Sequence, residues 1–156
     1  MNYWLMKSEP EEVSIDDALA ANGATVPWFG VRNYTARNFM RDRMRIGDGV
    51  LFYHSSCAVP GIYGVAEVAS EPYPDDTQFD PQSPYYDPKS SQDKPRWILV
   101  DVRALYKVDP PLTLAQLRQM PELAGMTVLA RGNRLSITPV DPEHWQRLIE
   151  RMKKAA

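Results

Sequence analysis

The fold is decided by the stretch Gly47–Val68, whose sequence is GDGVLFYHSSCAVPGIYGVAEV. A Gly-Asp turn precedes an apolar run that ends at His54, and a Pro-Gly turn precedes a second run, Ile62–Val68. Short runs rich in β-branched and aromatic residues and bounded by turn residues are typical of strands. We therefore predict two neighbouring strands, Gly49–His54 and Ile62–Val68, that pair antiparallel.

Outward from this pair, the sequence predicts four further strands and four helices. The predicted strands are Tyr3–Met6, Arg96–Leu105, Thr127–Leu129 and Leu135–Ile137. The helices are predicted to begin at Ser14, Asn33, Thr113 and Asp141, residue types that cap helix N-termini. Because this order shows no regular βαβ alternation, we expect an α+β fold in which a small, mainly antiparallel sheet curls into a barrel with short helices outside.

A long loop is predicted between the second and third large strand patterns. Residues 72–95 contain six prolines mixed with Asp, Ser and Gln, and they carry Tyr73, Tyr85 and Tyr86. Proline at this density excludes a central strand or a continuous helix. A loop of this length in a compact domain is usually functional, so we expect a lid or binding loop whose tyrosines pack on the body.

Length and composition predict one cytoplasmic domain, residues 1–156. The chain has 156 residues, one cysteine (Cys57) and two histidines, which exclude an intramolecular disulfide and disfavour a zinc cluster. No stretch approaches the roughly 18 apolar residues of a membrane span, and Lys7 interrupts the apolar start of the chain. We expect no metal, cofactor or membrane partner, and the sequence leaves the oligomeric state open.

Charge is distributed unevenly along the chain. The net charge is −2, but Val31–Arg45 contains five arginines against one acid, and Glu71–Asp93 contains six acids against one lysine. Such segregation can create a local anion-binding surface on a nearly neutral protein. The alternative is that the arginines are simply the solvated face of an amphipathic helix.

A catalytic interpretation is possible for the polar cluster His54-Ser55-Ser56-Cys57. No glycine-framed nucleophile elbow surrounds either serine, and no phosphate-binding glycine loop occurs in the chain. A cysteine placed like Cys57 is more often a small buried apolar side chain than a catalytic thiolate. We therefore expect a protein that is not an enzyme, and keep a hydrolase based on His54 and Cys57 as an alternative.

The run Trp28–Asn38, WFGVRNYTARN, combines the side chains that recognise nucleobases. Aromatic rings stack on bases, asparagine can pair with a base edge, and arginine binds phosphate. Pro27 and Gly30 bracket Trp28, so we expect its ring to stand exposed in a loop, whereas Phe29 is expected to be a core residue. Asn33 has a second interpretation as a helix cap.

Several longer motifs occur in one order: YWLMKSEP at Tyr3–Pro10, the run Trp28–Asn38, FYHS at Phe52–Ser55, Tyr85-Tyr86-Asp87 and Arg134-Leu135-Ser136. Together they resemble the EVE domain family, from Tyr3 to about Ile149, and in particular its small stand-alone bacterial members. The resemblance implies a PUA-like β-barrel, mixed or antiparallel, and a pocket that accepts a modified base, typically modified cytosine, in DNA or RNA.

The resemblance also implies roles for individual residues. Trp28 would be the aromatic wall, and the other base-binding groups would be Lys7, Ser8, Asn33, Tyr34, His54 and Ser55. The sugar-phosphate backbone would be held by Arg32, Arg37, Arg131 and Arg134. The partner would be nucleic acid carrying modified bases, recognised by flipping one base into the aromatic and cationic pocket. The alternative of a different class is a regulatory protein whose pocket holds a free nucleoside or an anionic metabolite.

Overall fold

The computed structural model describes residues 1–155, with side chains as far as Lys153. The strands are β1 (Tyr3–Ser8), β2 (Thr25–Pro27), β3 (Gly49–His54), β4 (Gly61–Val68), β5 (Tyr73–Pro74), β6 (Ile98–Leu99), β7 (Asp101–Thr113) and β8 (Ile137–Val140). The helices are α1 (Ile15–Ala20), α2 (Tyr34–Asn38), α3 (Leu114–Arg118) and α4 (Pro142–Ala155). None of these helices has the length and apolar character needed to cross a bilayer.

Six strands form one mixed sheet that curls into a half-barrel, in the order β2-β7-β4-β3-β1-β8. The predicted antiparallel pairing of β3 with β4 is confirmed. The sheet contains one parallel pair, because β1 runs alongside β3 with Tyr3 opposite Gly49 and Ser8 opposite His54. This pairing brings the carboxyl ends of β1 and β3 together at one edge of the half-barrel.

The sheet separates two hydrophobic cores, since side chains alternate between its faces. Trp4, Met6 and Phe52 pack with α1 and α2 on one face. Leu5 and Leu51 pack with α3 and α4 on the other. The central strands β1 and β3 are therefore buried on both sides, and they give the half-barrel a fixed frame.

The helix starts predicted at Ser14, Asn33 and Thr113 are confirmed by their caps, and the one predicted at Asp141 is confirmed by α4, which begins at Pro142. The Ser14 and Thr113 side chains each accept a hydrogen bond from the backbone N–H three residues on, and both belong to complete capping boxes. Asn33 Oδ1 accepts from the Ala36 N–H at 3.1 Å. After Asn38, α2 widens into a π-turn, Phe39–Arg43, which ends the helix earlier than its apolar spacing suggests.

Three strand predictions differ from the structure. Thr127–Leu129 forms a 3₁₀ turn, so the strand predicted there is wrong; three residues with no alternation do not specify a pairing partner. The strand predicted at Leu135–Ile137 begins at Ile137 and runs to Val140. Its Pro139 is tolerated because β8 lies at the sheet edge and pairs with β1 alone. The pattern Arg96–Leu105 is divided between β6 and β7.

The long loop, residues 72–95, is more ordered than its proline content suggests. It begins with β5, continues into a 3₁₀ turn at Asp76–Phe79, and folds around the buried side chain of Gln78. Gln78 Nε2 donates to the carbonyl oxygens of Asp75 and Trp97, both at 2.8 Å, while its Oε1 accepts from the Trp97 N–H at 3.0 Å. One buried amide therefore ties the start of the loop to the residues that follow it.

Arg32 fastens the long loop to the body. Its guanidinium makes five hydrogen bonds: two to the Tyr85 carbonyl, and one each to the Asp75 carboxylate, the Thr77 hydroxyl and its neighbouring Val31 carbonyl. The Asp75 side chain is 2% exposed and also accepts from the Gly30 N–H at 2.8 Å. A guanidinium has five N–H donors, so all of them have partners here.

His54 fastens α1 to the end of β3. Its Nε2 accepts a hydrogen bond from the Ile15 N–H at 3.1 Å, and its ring stacks on Tyr63 with centroids 3.9 Å apart. Burial lowers the pKa of His54 below its ordinary value; the charge of Lys107 acts in the same direction, and the carboxylates of Asp16 and Asp17 oppose it. The neutral imidazole is the form that can accept this bond.

We expect the free energy of unfolding to decrease as the pH falls from about 7 toward 5. The unfolded chain binds a proton at His54 near the ordinary pKa of about 6.5, whereas the folded protein binds it only at lower pH, so stability is fully present above 6.5 and is lost below it. Urea denaturation across this range measures the effect. His54→Gln should flatten the dependence; an unchanged slope in this variant would contradict the assignment.

Arg32→Ala should lower the free energy of unfolding by about 2 kcal/mol, because it leaves the buried Asp75 carboxylate without its charged partner. Trypsin should then cut faster after Lys89 in the long loop. Arg41→Ala is the matched control, since Arg41 lies exposed and pairs with its neighbour Asp42. Urea titration and timed proteolysis compare the two variants, and equal changes would mean that Arg32 does not fasten the loop.

Candidate nucleic-acid interface

A pocket of about 410 Å³ lies where β1 and β3 end, and we call it the strand-end pocket. Two backbone bonds fix its floor: the Ser55 N–H donates to the Ser8 carbonyl at 3.0 Å, and the Lys7 N–H donates to the Ser136 carbonyl at 2.8 Å. The wall comes from the segment between β2 and α2. The lining residues that the sequence singled out are Lys7, Ser8, Trp28, Arg32, Asn33, Ser55 and Arg134.

Trp28 lines the strand-end pocket, but the expectation of an exposed ring is wrong. The residue is 6% exposed, and its ring meets the edge of Phe52 at 79° with centroids 5.2 Å apart. Its backbone N–H donates to the Val100 carbonyl at 3.0 Å, which extends the pairing of β2 beyond Pro27. The indole is thus a core residue that also borders open space, while Phe29, expected in the core, is half-buried in the pocket wall.

Two cations border the strand-end pocket without a carboxylate partner among the described residues. Lys7 is half-buried, and desolvation lowers the pKa of its ammonium group below the ordinary value. Arg134 is exposed on the segment before β8. The charged form of a partly desolvated, unpaired ammonium group is stabilised by any anion or hydrogen-bond acceptor that enters beside it.

Hydrogen-bond donors and acceptors complete the lining of the strand-end pocket. Asn33 Oδ1 is used in capping α2, so its Nδ2 donors remain for a ligand. The Ser8 hydroxyl donates to the Val13 carbonyl at 2.6 Å and keeps its acceptor capacity. Glu9 adds an exposed carboxylate at the rim. The strand-end pocket therefore offers both donors and acceptors to a planar polar ligand.

Arg32 has a different position from the one expected of a phosphate-binding group. It lines the strand-end pocket, yet it is 22% exposed and its five donors are taken by the Asp75, Thr77, Tyr85 and Val31 oxygens. No donor of this side chain is left for a phosphate. Arg32 shapes the pocket wall instead, by holding the long loop against it.

Four further residues predicted for the site lie outside the strand-end pocket. His54 is buried behind its floor and is engaged by Ile15 and Tyr63. Tyr34 is 51% exposed and stacks on Trp97 with centroids 4.9 Å apart. The guanidinium of Arg37 lies over the Tyr34 ring, 4.6 Å from its centroid. Arg37 also donates to the Arg96 carbonyl at 2.9 Å. Arg131 is exposed on the turn that precedes Arg134.

Tyr85 is a pocket residue that the sequence did not single out for the site. Its ring packs on Phe29 and over Gly30, where an added Cβ would lie 2.8 Å from the ring. Its hydroxyl donates to the Glu12 carboxylate at 2.6 Å, and burial together with this bond raises the pKa of Tyr85 to about 12. The tyrosines of the long loop were expected to pack on the body, but nothing in their spacing indicated which one reaches the strand-end pocket.

The described residues contain no group of three or more histidine, cysteine, aspartate or glutamate side chains arranged to hold a metal ion. The imidazole of His54 also has its Nε2 occupied by the Ile15 N–H. The strand-end pocket offers a ligand hydrogen-bonding groups, charged side chains and apolar contact.

Comparison with known proteins gives consistent relationships over nearly the whole chain. Thymocyte nuclear protein 1 of Mus musculus is 40% identical over 95% of this chain and 72% of its own length. A structure of a Leishmania major protein has a TM-score of 0.93 and 43% identity, covering 99% of this chain and 96% of that one.

A second solved structure comes from human thymocyte nuclear protein 1 in complex with DNA that contains 5-methylcytosine. It has a TM-score of 0.91 and 39% identity, covering 98% of both chains. The family model described as the EVE domain matches residues 2–151. The resemblance inferred from the motifs is confirmed, and the half-barrel is the PUA-like fold expected from it. This chain therefore belongs to the EVE domain family.

Proposed function

We propose that this protein binds DNA containing a modified cytosine and takes the modified base into the strand-end pocket. The observation that carries the proposal is the pocket itself: about 410 Å³, walled by Trp28 and bordered by the unpaired cations Lys7 and Arg134. That volume falls in the range of small-ligand sites. The 39% identical human relative in complex with 5-methylcytosine DNA supports the choice of ligand.

Capture of a base requires that the energy of unstacking be offset inside the pocket. Extrusion costs a few kcal/mol in a duplex and less at weakened pairs or in single strands. Burial of the base against Trp28 and Phe29, with hydrogen bonds from Asn33 and the strand ends, would offset it. The exposed carboxylate of Glu9 suits the exocyclic amino group of cytosine, which is a donor, better than the carbonyl of thymine.

The sugar-phosphate backbone would lie across the rim of the strand-end pocket. Arg131 and Arg134 both stand exposed on the segment before β8, and Lys7, at the end of β1, lines the strand-end pocket together with Arg134. Arg37, at the outer end of α2, would contact the strand farther from the pocket. Contacts of this type position the nucleic acid and make affinity depend on salt, without reading sequence.

We also propose that the protein acts by binding and not by catalysis. The hydrolase alternative needs His54 as a base beside Cys57, but His54 Nε2 already accepts the Ile15 N–H and its ring is stacked on Tyr63. Cysteine replacement gives a direct comparison, because Cys57→Ser should leave nucleic-acid binding unchanged.

The central test is fluorescence anisotropy with labelled oligonucleotides that differ by one modified base. We expect tighter binding to 5-methylcytosine DNA than to cytosine DNA, by roughly tenfold, since a methyl-sized group is discriminated by fit at about 1–3 kcal/mol. RNA of the same sequence forms a second arm. Equal affinity for modified and plain strands would overturn the proposal. Tight, salt-insensitive binding of the free nucleoside would instead favour a small-molecule protein.

Arg134→Ala should weaken binding of modified and plain oligonucleotides alike, roughly 3- to 10-fold, and reduce the slope of log affinity against log salt by about 1. The reason is that a side chain at the rim contacts phosphate and not the base. Arg147→Ala, an exposed arginine on α4, is the matched control. If Arg134→Ala lost the modified strand alone, Arg134 would be reading the base.

A further inference from the structure

Among the tryptophans that the structure describes as buried, Trp28 differs from Trp4 and Trp97 in the hydrogen bonding of its indole nitrogen. Among the residues that the structure describes, every fully buried side-chain nitrogen or oxygen has a hydrogen-bond partner. Trp4 Nε1 donates to Asp48 at 3.0 Å and Trp97 Nε1 donates to Asp87 at 2.8 Å. The indole Nε1 of Trp28 has no such partner in the described part of the chain, although only 6% of the residue is exposed.

The position of Trp28 indicates where this nitrogen points. Since no fully buried polar atom is unpaired, Nε1 of Trp28 must belong to the small accessible part of the residue. Trp28 lines the strand-end pocket, and the rest of its ring is enclosed by the core that includes Phe52 and Val100. The accessible edge of the indole is therefore the edge that carries the N–H, and it borders the pocket.

A buried tryptophan normally pairs its N–H, because an unpaired donor away from water is unfavourable. A donor left open toward a pocket is satisfied when a ligand brings an acceptor. Lys7 and Asn33 line the same pocket and bring two further donors, Lys7 Nζ and Asn33 Nδ2. The ring face of Trp28 is largely covered, so the N–H edge is the part of this residue that a ligand can reach.

We propose that Trp28 recognises the bound base by donating its indole N–H to an acceptor on the edge of the base, and not by offering a ring face for stacking. This inference rests on the proposed function. Cytosine presents two neighbouring acceptors, O2 and N3, whereas thymine and uracil carry a hydrogen at N3. A bond to N3 would therefore also exclude those bases, because two donors would face each other.

Trp28→Phe tests this directly, since it keeps an aromatic ring in the core and removes the N–H. Binding of a 5-methylcytosine oligonucleotide should weaken about 3- to 10-fold. In the unsubstituted protein, a similar loss should follow when one base acceptor is removed, either by sulfur in place of O2 or by C–H in place of N3. Trp28→Phe should be insensitive to that same base change, which a double-mutant cycle measures as coupling.

The matched control is Trp145→Phe, the same chemical change at a half-buried tryptophan that stacks on Tyr3 away from the strand-end pocket. It should not alter binding. Nitrogen-15 spectra give a second readout: of the four indole signals, that of Trp28 should shift downfield when the oligonucleotide binds. The signal is assigned in the unsubstituted protein through its contacts with Phe52, so the measurement stands even if Trp28→Phe folds poorly.

The outcomes separate the two proposals. If Trp28→Phe keeps full affinity, if neither base change shows coupling, or if the Trp28 indole signal does not move, the hydrogen bond is overturned. The proposed function then still stands, provided that the unsubstituted protein prefers the 5-methylcytosine strand. If the unsubstituted protein shows no such preference, the proposed function fails first, and the indole signal decides whether another acceptor occupies the pocket.

Discussion

The parallel pairing of β1 with β3 is the constraint on which the rest of the structure depends. Antiparallel neighbours would have their carboxyl ends at opposite ends of the sheet. The parallel pair β1 and β3 has both carboxyl ends on the same side, which brings Ser8 and Ser55 into backbone contact. The segment before β8 joins the same edge through the Lys7 N–H and the Ser136 carbonyl. Three parts of the chain that are distant in sequence thus form one concave surface, with no need for a mobile element.

Two buried polar residues then convert an irregular segment into a pocket wall. Gln78 closes the long loop on itself, and Asp75 accepts hydrogen bonds from both Arg32 and Gly30 in the wall. A buried carboxylate is tolerated when it is paired and its remaining lone pairs are satisfied, which is the situation at Asp75. Removing one hydrogen-bond partner of Asp75 should therefore lower the free energy of unfolding more than the exposed position of the long loop would suggest.

The sequence was sufficient to predict the helices and strands whose ends are determined by neighbouring residues. Turn residues bounded β3 and β4, and caps at Ser14, Asn33 and Thr113 marked the helices. Motif resemblance supplied Lys7 and Ser55 for the pocket. The sequence could not predict the interactions that depend on residues distant in the chain. These are the packing of Trp28 against Phe52, the hydrogen bonds that Arg32 donates to the long loop, and the hydrogen bond from Tyr85 to Glu12. An arginine cluster does not reveal which members already have acceptors.

The placement of two cores on opposite faces of the same central strands has a mechanical consequence. Successive residues of β1, such as Trp4 and Leu5, belong to different cores, so neither core can melt while the other stays intact. The domain should lose structure in one cooperative transition, with the amides of β1 and β3 the last to exchange with deuterium. The two strand ends that form the floor of the pocket are continuous with these doubly buried strands, so the floor should have the same shape with and without a ligand.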